Sequence, residues 1–572
     1  MKLRSIVAGG VLLAASLPAA AYDVAEKSVV QIKADLAAGR VTSVELVRLY
    51  RARIAALNPK LHAVIALNPL AEQQAQAADA ARRAGTLQGA LAGVPILIKD
   101  NIESADPMPT TAGSLALAKN MPGRDAPLVA KLRASGAIIL GKTNLSEWAN
   151  IRSTHSISGW SAVGGQTRNP YAFDRNTCGS SAGSGAAAAA SLAAATVGTE
   201  TDGSVTCPAA VNGLVGLKPT VGAISRTHVV PISHSQDTAG PMARSVIDAA
   251  LLFGAMVGSD PTDPATAHAD AIGTDFTTGL RSDALKGVRV GVLRYAAGFH
   301  PATDVAFDAA LAKLRQAGAV LVEIAKPPHD RDGEVGRLEQ IVLMTELKAD
   351  MAIYLASTKA AEVPSRTLTD LIAFDSAHAA AEMPLFGQEL FEEAEKTKGL
   401  DDPAYLKAEA QARRLAGPEG IDKLLADNKV AVLVAPTLGP AWLIDPVLGD
   451  HFAGGGAGSP AAVAGYPHLT VPMGLADGLP VGLSFIGAAW TDAALLNYGF
   501  AYEQASAARR VPCYLPTIDY GIRALNLIAP GMRNTRHLGP PREMSGMSGF
   551  AHPRLHESER CIIVGPNQRG HS

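Results

Sequence analysis

The sequence predicts an α/β layered fold, and three observations carry that prediction. Short apolar runs at residues 288–293, 320–324 and 430–435 read as strands, with helical segments between them. Such alternation argues for strands and helices stacked in layers. The chain of 572 residues is 48% hydrophobic and only 18% charged, so it has the apolar material for a large core. Residues 175–220 then set two knots of small, hydroxyl-rich residues around an almost pure alanine run.

In chain order, Lys2 and Arg4 precede an apolar run over residues 6–17, and Ala19-Ala20-Ala21 gives an A-x-A cleavage pattern before Tyr22. Residues 1–21 are expected to be a signal peptide, which implies a periplasmic or secreted mature protein. The run is too short to span a bilayer. No later stretch reads as a membrane span. A body over residues 22–512 follows.

Residues 30–57 read as helices, with Ser28 and Thr42 or Ser43 as N-caps and Leu46, Leu49 and Ile54 on one face. Asn58-Pro59 closes them. A short strand is expected at residues 64–66, and an alanine-rich helix at 70–85, ended by glycine. Residues 91–101 read LAGVPILIKDN, an apolar run delivering Lys99 at its polar end. An exposed lysine after a strand is the ordinary reading. A lysine in an apolar pocket loses proton affinity and can act as a base. Another strand is expected at residues 137–140. Residues 154–177 form a polar, glycine-rich loop expected to lie over the site.

The first knot is Gly179-Ser180-Ser181-Ala182-Gly183-Ser184-Gly185 and the second is Thr201-Asp202-Gly203-Ser204. Glycine allows close backbone approach, and serine supplies a nucleophile or proton relay. Residues 186–195 should form a helix on alanine propensity. Either knot alone reads as a turn. Residues 179–183 also match G-x-S-x-G, which would make Ser181 an α/β-hydrolase nucleophile. That motif requires an apolar strand in front, and residues 171–178 are polar. No Gly-Lys-Ser/Thr follows the glycines, so a phosphate-binding loop is excluded.

Together the knots resemble the amidase signature family, whose text runs GGSSGGS, an alanine-rich stretch, GTDTGGSIR-PA and GLKPT. The matches are residues 179–184, 198–199, 202–204, Pro208-Ala209 and 216–220. Residues 93–100 match the family's lysine segment, GVP-x-x-x-KD, and residues 237–246 its DT-GPMARSV segment. The resemblance covers residues 30–510. It implies a large mixed β-sheet sandwiched between layers of α-helices. It also implies amide hydrolysis through an acyl-enzyme, with Ser204 as nucleophile, Ser180 as the bridging serine on a cis peptide bond, and Lys99 as base. The backbone N–H groups of Thr201, Asp202, Gly203 and Ser204 would form the oxyanion hole. Lys142 resembles a family position that is not the catalytic lysine.

The texts TETDGSV-CPA and PIS-SQDTAGPMARS, with Cys178 before Gly-Ser-Ser, resemble the family's bacterial peptide amidase branch. That implies a small peptide amide or carboxamide substrate and release of ammonia. The family's ammonia-supplying amidotransferase subunits are the alternative. No cofactor or metal is implied. Three positions depart from the family text. Ala182 replaces a glycine, and Thr206 an arginine. Asp202 replaces a glycine and either contacts substrate or is bonded into the fold.

Residues 246–256 read as a helix and 260–275 as a polar loop. Residues 461–473, 481–486 and 493–508 resemble the family's closing strands and helix. The tail, 513–572, is rich in Pro, Arg, Gly, Met and His without apolar periodicity, and is expected to be disordered or an appended extra. Its His552, His556 and Cys561 do not complete a zinc pattern. The four cysteines allow no deduction of pairing, and Cys178 and Cys207 are expected as small buried hydrophobes. A net charge of −2 offers no argument for a nucleic-acid partner.

Overall fold

An eleven-stranded mixed sheet runs through the protein. The computed structural model describes residues 22–329 and 332–518. The signal-peptide assignment and most of the tail, with His552, His556 and Cys561, lie outside the described residues. The strands are β1 (Val64–Leu67), β2 (Pro95–Lys99), β3 (Ile138–Thr143), β6 (Ala195–Glu200), β7 (Val215–Lys218), β8 (Thr238–Ala243), β9 (Arg289–Leu293), β10 (Val320–Ile324), β11 (Val432–Pro436), β12 (His468–Ala476) and β13 (Leu479–Ile486); β4 (Trp160–Ser161) and β5 (Gly165–Gln166) pair separately. The order is β1-β3-β2-β6-β8-β7-β12-β13-β11-β9-β10. β2 is parallel to both β3 and β6, whereas β6, β8, β7, β12, β13 and β11 pair antiparallel in succession.

Helices cover the sheet. Pro301–Gln316 and Asp492–Ser506 pack on β12, and Val246–Gly254 packs on β8. Residues of these helices and of β2, β3 and β6 share one buried apolar cluster. The caps read from the sequence form as expected, since Ser28 and Thr42 each make a capping box, with Gln31 and Glu45. Among the described residues, no helix is long and apolar enough to cross a membrane.

Three expectations are corrected. The alanine helix runs Ala182–Ala189, not 186–195. Ser191 adopts φ 54°, which breaks it, and residues 195–200 become a strand between β2 and β8. Sheet pairing at the centre of the fold overrides alanine's helix propensity there. Second, Cys178 and Cys207 form a disulfide, with Cα atoms 6.0 Å apart; two cysteines 29 residues apart in sequence carry no local signal of their pairing. Third, the body does not stop at residue 512. Tyr514 N–H donates to Pro170 O at 2.9 Å, Leu515 bridges Ala172, and Ile518 packs on the cluster holding Trp442 and Leu479.

Candidate active site

Lys99 is the last residue of β2, a strand inside the sheet with both neighbours parallel to it. Its side chain is fully buried. Nζ donates to Ser180 Oγ at 2.7 Å, to Thr199 Oγ1 at 2.8 Å and to Thr199 O at 3.3 Å. Burial lowers its pKa to about 7, against the opposing pull of the Asp237 and Glu200 carboxylates. A neutral amine has two N–H donors and one lone pair. Thr199 offers two acceptors, so in the neutral form both N–H groups go to Thr199 and the 2.7 Å contact reverses, the lone pair accepting from the Ser180 hydroxyl.

Ser180 follows a cis peptide bond from Gly179. Its carbonyl accepts from Ser146 N–H at 3.0 Å. Gly179 has no room for a side chain, because an added Cβ would collide with Ser146 Oγ. Ser181 behaves differently from Ser180. Its Oγ donates to Thr199 O at 3.0 Å and accepts from Thr199 N–H at 3.1 Å, so the hydroxyl is used within the fold. The segment before it is a loop, not the strand that an α/β-hydrolase elbow requires.

The second knot leaves the end of β6 and enters the short helix Thr206–Val211. Gly203 at φ 78° turns the chain there. Ser204 O accepts from Ser181 N–H at 3.1 Å, which sets the two knots side by side. Glu200 closes the loop from behind. Its Oε2 accepts from Val205 N–H at 2.7 Å and Thr206 N–H at 2.8 Å, and Thr206 Oγ1 reaches the same carboxylate. Thr206, which stands where the family text has arginine, hydrogen-bonds this acidic residue through both its N–H and its hydroxyl. Thr201 Oγ1 donates to Asp237 Oδ1 at 2.5 Å.

Asp202 is bonded to Ser459, and burial raises its carboxyl pKa. Glu339 faces it and is raised as well, by burial first and then by the Asp202 charge. Gln236 Nε2 donates to Glu339 Oε1 at 2.8 Å. Asp202 is thus bonded into the fold, the second of the two readings given for it. A cavity of about 570 Å³ opens beside Asn101, Thr199 and Thr201 and reaches Asp237, His228 and Tyr354. Lys142 is bonded elsewhere, to Ile102 O, Thr110 Oγ1 at 2.8 Å and Asp100 at 3.8 Å.

Lys99 and Ser180 are therefore in direct contact, and Ser204 is tied to the adjacent residue. Sequence reasoning missed Thr199, Asn101, Glu200 and Asp237. Asn101 Nδ2 donates to Thr199 Oγ1 at 3.0 Å. All four lie inside or next to segments that match the family text, so their positions were available while their roles were not.

The amidase family profile matches residues 45–496. A probable amidase of Arabidopsis thaliana is 38% identical over 502 residues, covering 86% of this chain and 93% of that one. A glutamyl-tRNA(Gln) amidotransferase subunit of Roseiflexus castenholzii is 35% identical, over 84% of this chain and 96% of that one. The solved native peptide amidase of Stenotrophomonas maltophilia superposes with a TM-score of 0.82 at 51% identity, covering 86% of this chain and 99% of that one. The chain belongs to the amidase family, the amidase-signature enzymes that act on amide C–N bonds.

Proposed function

We propose that the protein hydrolyses the C-terminal amide of peptides, using Ser204 as nucleophile, Ser180 as proton bridge and Lys99 as base. One observation carries the reading: a fully buried lysine with a pKa of about 7 holds Ser180 Oγ at 2.7 Å. Ser204 attacks the amide carbon as its proton passes through Ser180 to Lys99. The backbone N–H groups of Thr201, Asp202, Gly203 and Ser204 stabilise the oxyanion; each such donor is worth about 2.7–4 kcal/mol where one has been removed. The relay returns the proton to the leaving nitrogen, ammonia departs, and water hydrolyses the acyl-enzyme. The likeness to a peptide amidase at 51% identity supports the substrate class.

The experiment is direct. Purified protein is given a peptide amide, a free amino-acid carboxamide and an anilide, and ammonia or amine release is measured. Preferred release of ammonia from the peptide amide is expected. No turnover of any of the three overturns the reading. The amidotransferase relative supports a second reading, ammonia supply to a partner; peptide-amide hydrolysis by the isolated chain excludes it.

We also propose that the protein is exported. The charged, apolar and A-x-A pattern of residues 1–21 and the Cys178–Cys207 disulfide support this. N-terminal sequencing from the native host should begin at Tyr22, and retention of Met1 refutes it.

A further inference from the structure

We infer that the Cys178–Cys207 disulfide is a positioning element of the catalytic site, so that turnover depends on its oxidation state. The inference rests on the roles proposed for Ser180 and Ser204. Cys178 immediately precedes the Gly179–Ser180 turn, and Cys207 lies three residues after Ser204 in the helix Thr206–Val211. The bridge therefore joins the two serine turns to each other rather than pinning a distant loop to the surface.

Two non-covalent ties run in parallel with it. Ser181 N–H donates to Ser204 O at 3.1 Å, and Asn212 Nδ2, at the end of the helix carrying Cys207, donates to Thr177 O at 3.1 Å. These are enough to keep the segments together when the sulfurs part. They are hydrogen bonds from either side of the turn, however, and neither holds Cys178 itself. Cys178 has φ 53°, a left-handed conformation uncommon for a residue with a Cβ. Its N–H donates to Asn176 Oδ1 at 2.7 Å, and its side chain is held by the bridge. Without the bridge, the bonds to Asn176 and from Thr177 Oγ1, the latter at 3.0 Å, are left to hold Cys178 in the left-handed region; when it relaxes, Gly179 and Ser180 shift with it against the Ser146 N–H bond to Ser180 O. The contact at risk is the 2.7 Å bond between Lys99 and Ser180. Cys178 is buried and Cys207 half-buried, so the extent of reduction is read directly by thiol counting.

Reduction is a two-electron exchange. A dithiol breaks the S–S bond, leaves two cysteine thiols, and is itself oxidised to a cyclic disulfide. Misplacement of a relay group by about 1 Å can cost about 100-fold in rate. The expected loss in kcat is therefore about 10- to 100-fold, with a change in KM of less than about threefold.

The test compares the oxidised protein, the same protein reduced under native conditions, and the Cys178→Ala/Cys207→Ala variant. Cys513 is disulfide-bonded as well, so reduction alone does not isolate this bridge and the variant does. Steady-state kinetics on a peptide amide are read beside circular dichroism and a count of alkylated thiols. The expected result is a fall in kcat at near-constant KM, native secondary structure, and recovery of the reduced protein on reoxidation. Unchanged kcat in both reduced protein and variant overturns the inference, as does a loss that only tracks unfolding. If that variant does not fold, a Cys513→Ala/Cys561→Ala protein, in which Cys178–Cys207 is the sole pair of cysteines left, is compared oxidised, reduced and reoxidised instead. A Ser204→Ala control separates the two levels: if it stays active, the catalytic reading itself has failed; if it is dead while reduction is silent, only the role of the bridge is lost.

Discussion

Lys99 Nζ and Ser180 Oγ are 2.7 Å apart at the buried end of an interior strand, and burial brings the lysine to a pKa of about 7. Turnover should therefore rise with pH through about 7 as the amine becomes neutral. Stability follows the same group. The unfolded pKa is 10.5, so between about 7 and 10.5 the unfolded chain binds more protons and stability rises with pH. Below about 7 the cost of burying the charged amine is fully present. Lys99→Met should abolish turnover yet raise the melting temperature at pH 6. A melting temperature that falls at pH 6 contradicts this.

Ser204→Ala should eliminate acyl-enzyme formation, and Lys99→Ala should be nearly as damaging. Ser180→Ala should lose at least the roughly 10²–10⁴-fold typical of general-base catalysis. The losses should not add, because the three groups act as one unit. Ser181→Ala should act mainly on stability, since its hydroxyl is bonded to both the N–H and the carbonyl of Thr199. Ammonia release and thermal melts of each variant check this; a dead but stable Ser181→Ala speaks for the nucleophile-elbow alternative.

Glu200→Ala should leave two buried N–H groups without an acceptor, at a cost of about 1–3 kcal/mol each. The loop bearing Ser204 then loses its rear support. We expect kcat to fall by about tenfold or more with a smaller change in KM, and Glu200→Gln, which keeps one acceptor, to fall between wild type and Ala. Equal effects of the two substitutions would place the role in charge rather than in hydrogen bonding.

Much of this site was legible in the sequence because its chemistry sits on contiguous text. Lys99, Ser180 and Ser204 each occupy a motif whose neighbours fix the backbone. Glu200 was not legible, since an acidic residue at a strand end is unremarkable until the N–H groups it accepts from are placed. The alanine run misled for the opposite reason. Local propensity spoke for a helix through residue 195, whereas the slot between β2 and β8 demanded a strand. The disulfide was hidden because pairing is set by the meeting of the two turns, not by spacing.

His468 provides an acid-stability test. Burial pushes its pKa down to about 3, and its Nε2 lies 2.7 Å from Ser484 Oγ. Between about 6.5 and 3 the unfolded chain takes up a proton that the folded chain refuses, so stability falls as pH drops through that window. His468→Gln should flatten this dependence, measured by denaturant unfolding at pH 4 and 7. Parallel pH curves for the two proteins would assign the acid sensitivity elsewhere.

The start of the tail should matter more than its remainder. Truncation after Cys513 removes the Tyr514 and Leu515 contacts with Pro170 and Ala172 and the bond from Arg53 to Tyr514. Its melting temperature should lie below that of a truncation after Ile518. Indistinguishable melts would show that this docking contributes little.

The division of labour along the chain has an engineering consequence. Lys99, Ser180, Thr199 and Ser204 come from one run of about a hundred residues, whereas Glu339 and Ser459, which face Asp202, come from segments far downstream. The proposed catalytic groups thus lie in one part of the gene, while later segments complete the surroundings of Asp202. A chimaera that takes its later segments from a relative would carry over Lys99, Ser180, Thr199 and Ser204 unchanged, while giving Asp202 new neighbours and the cavity a new wall at residues 350–357.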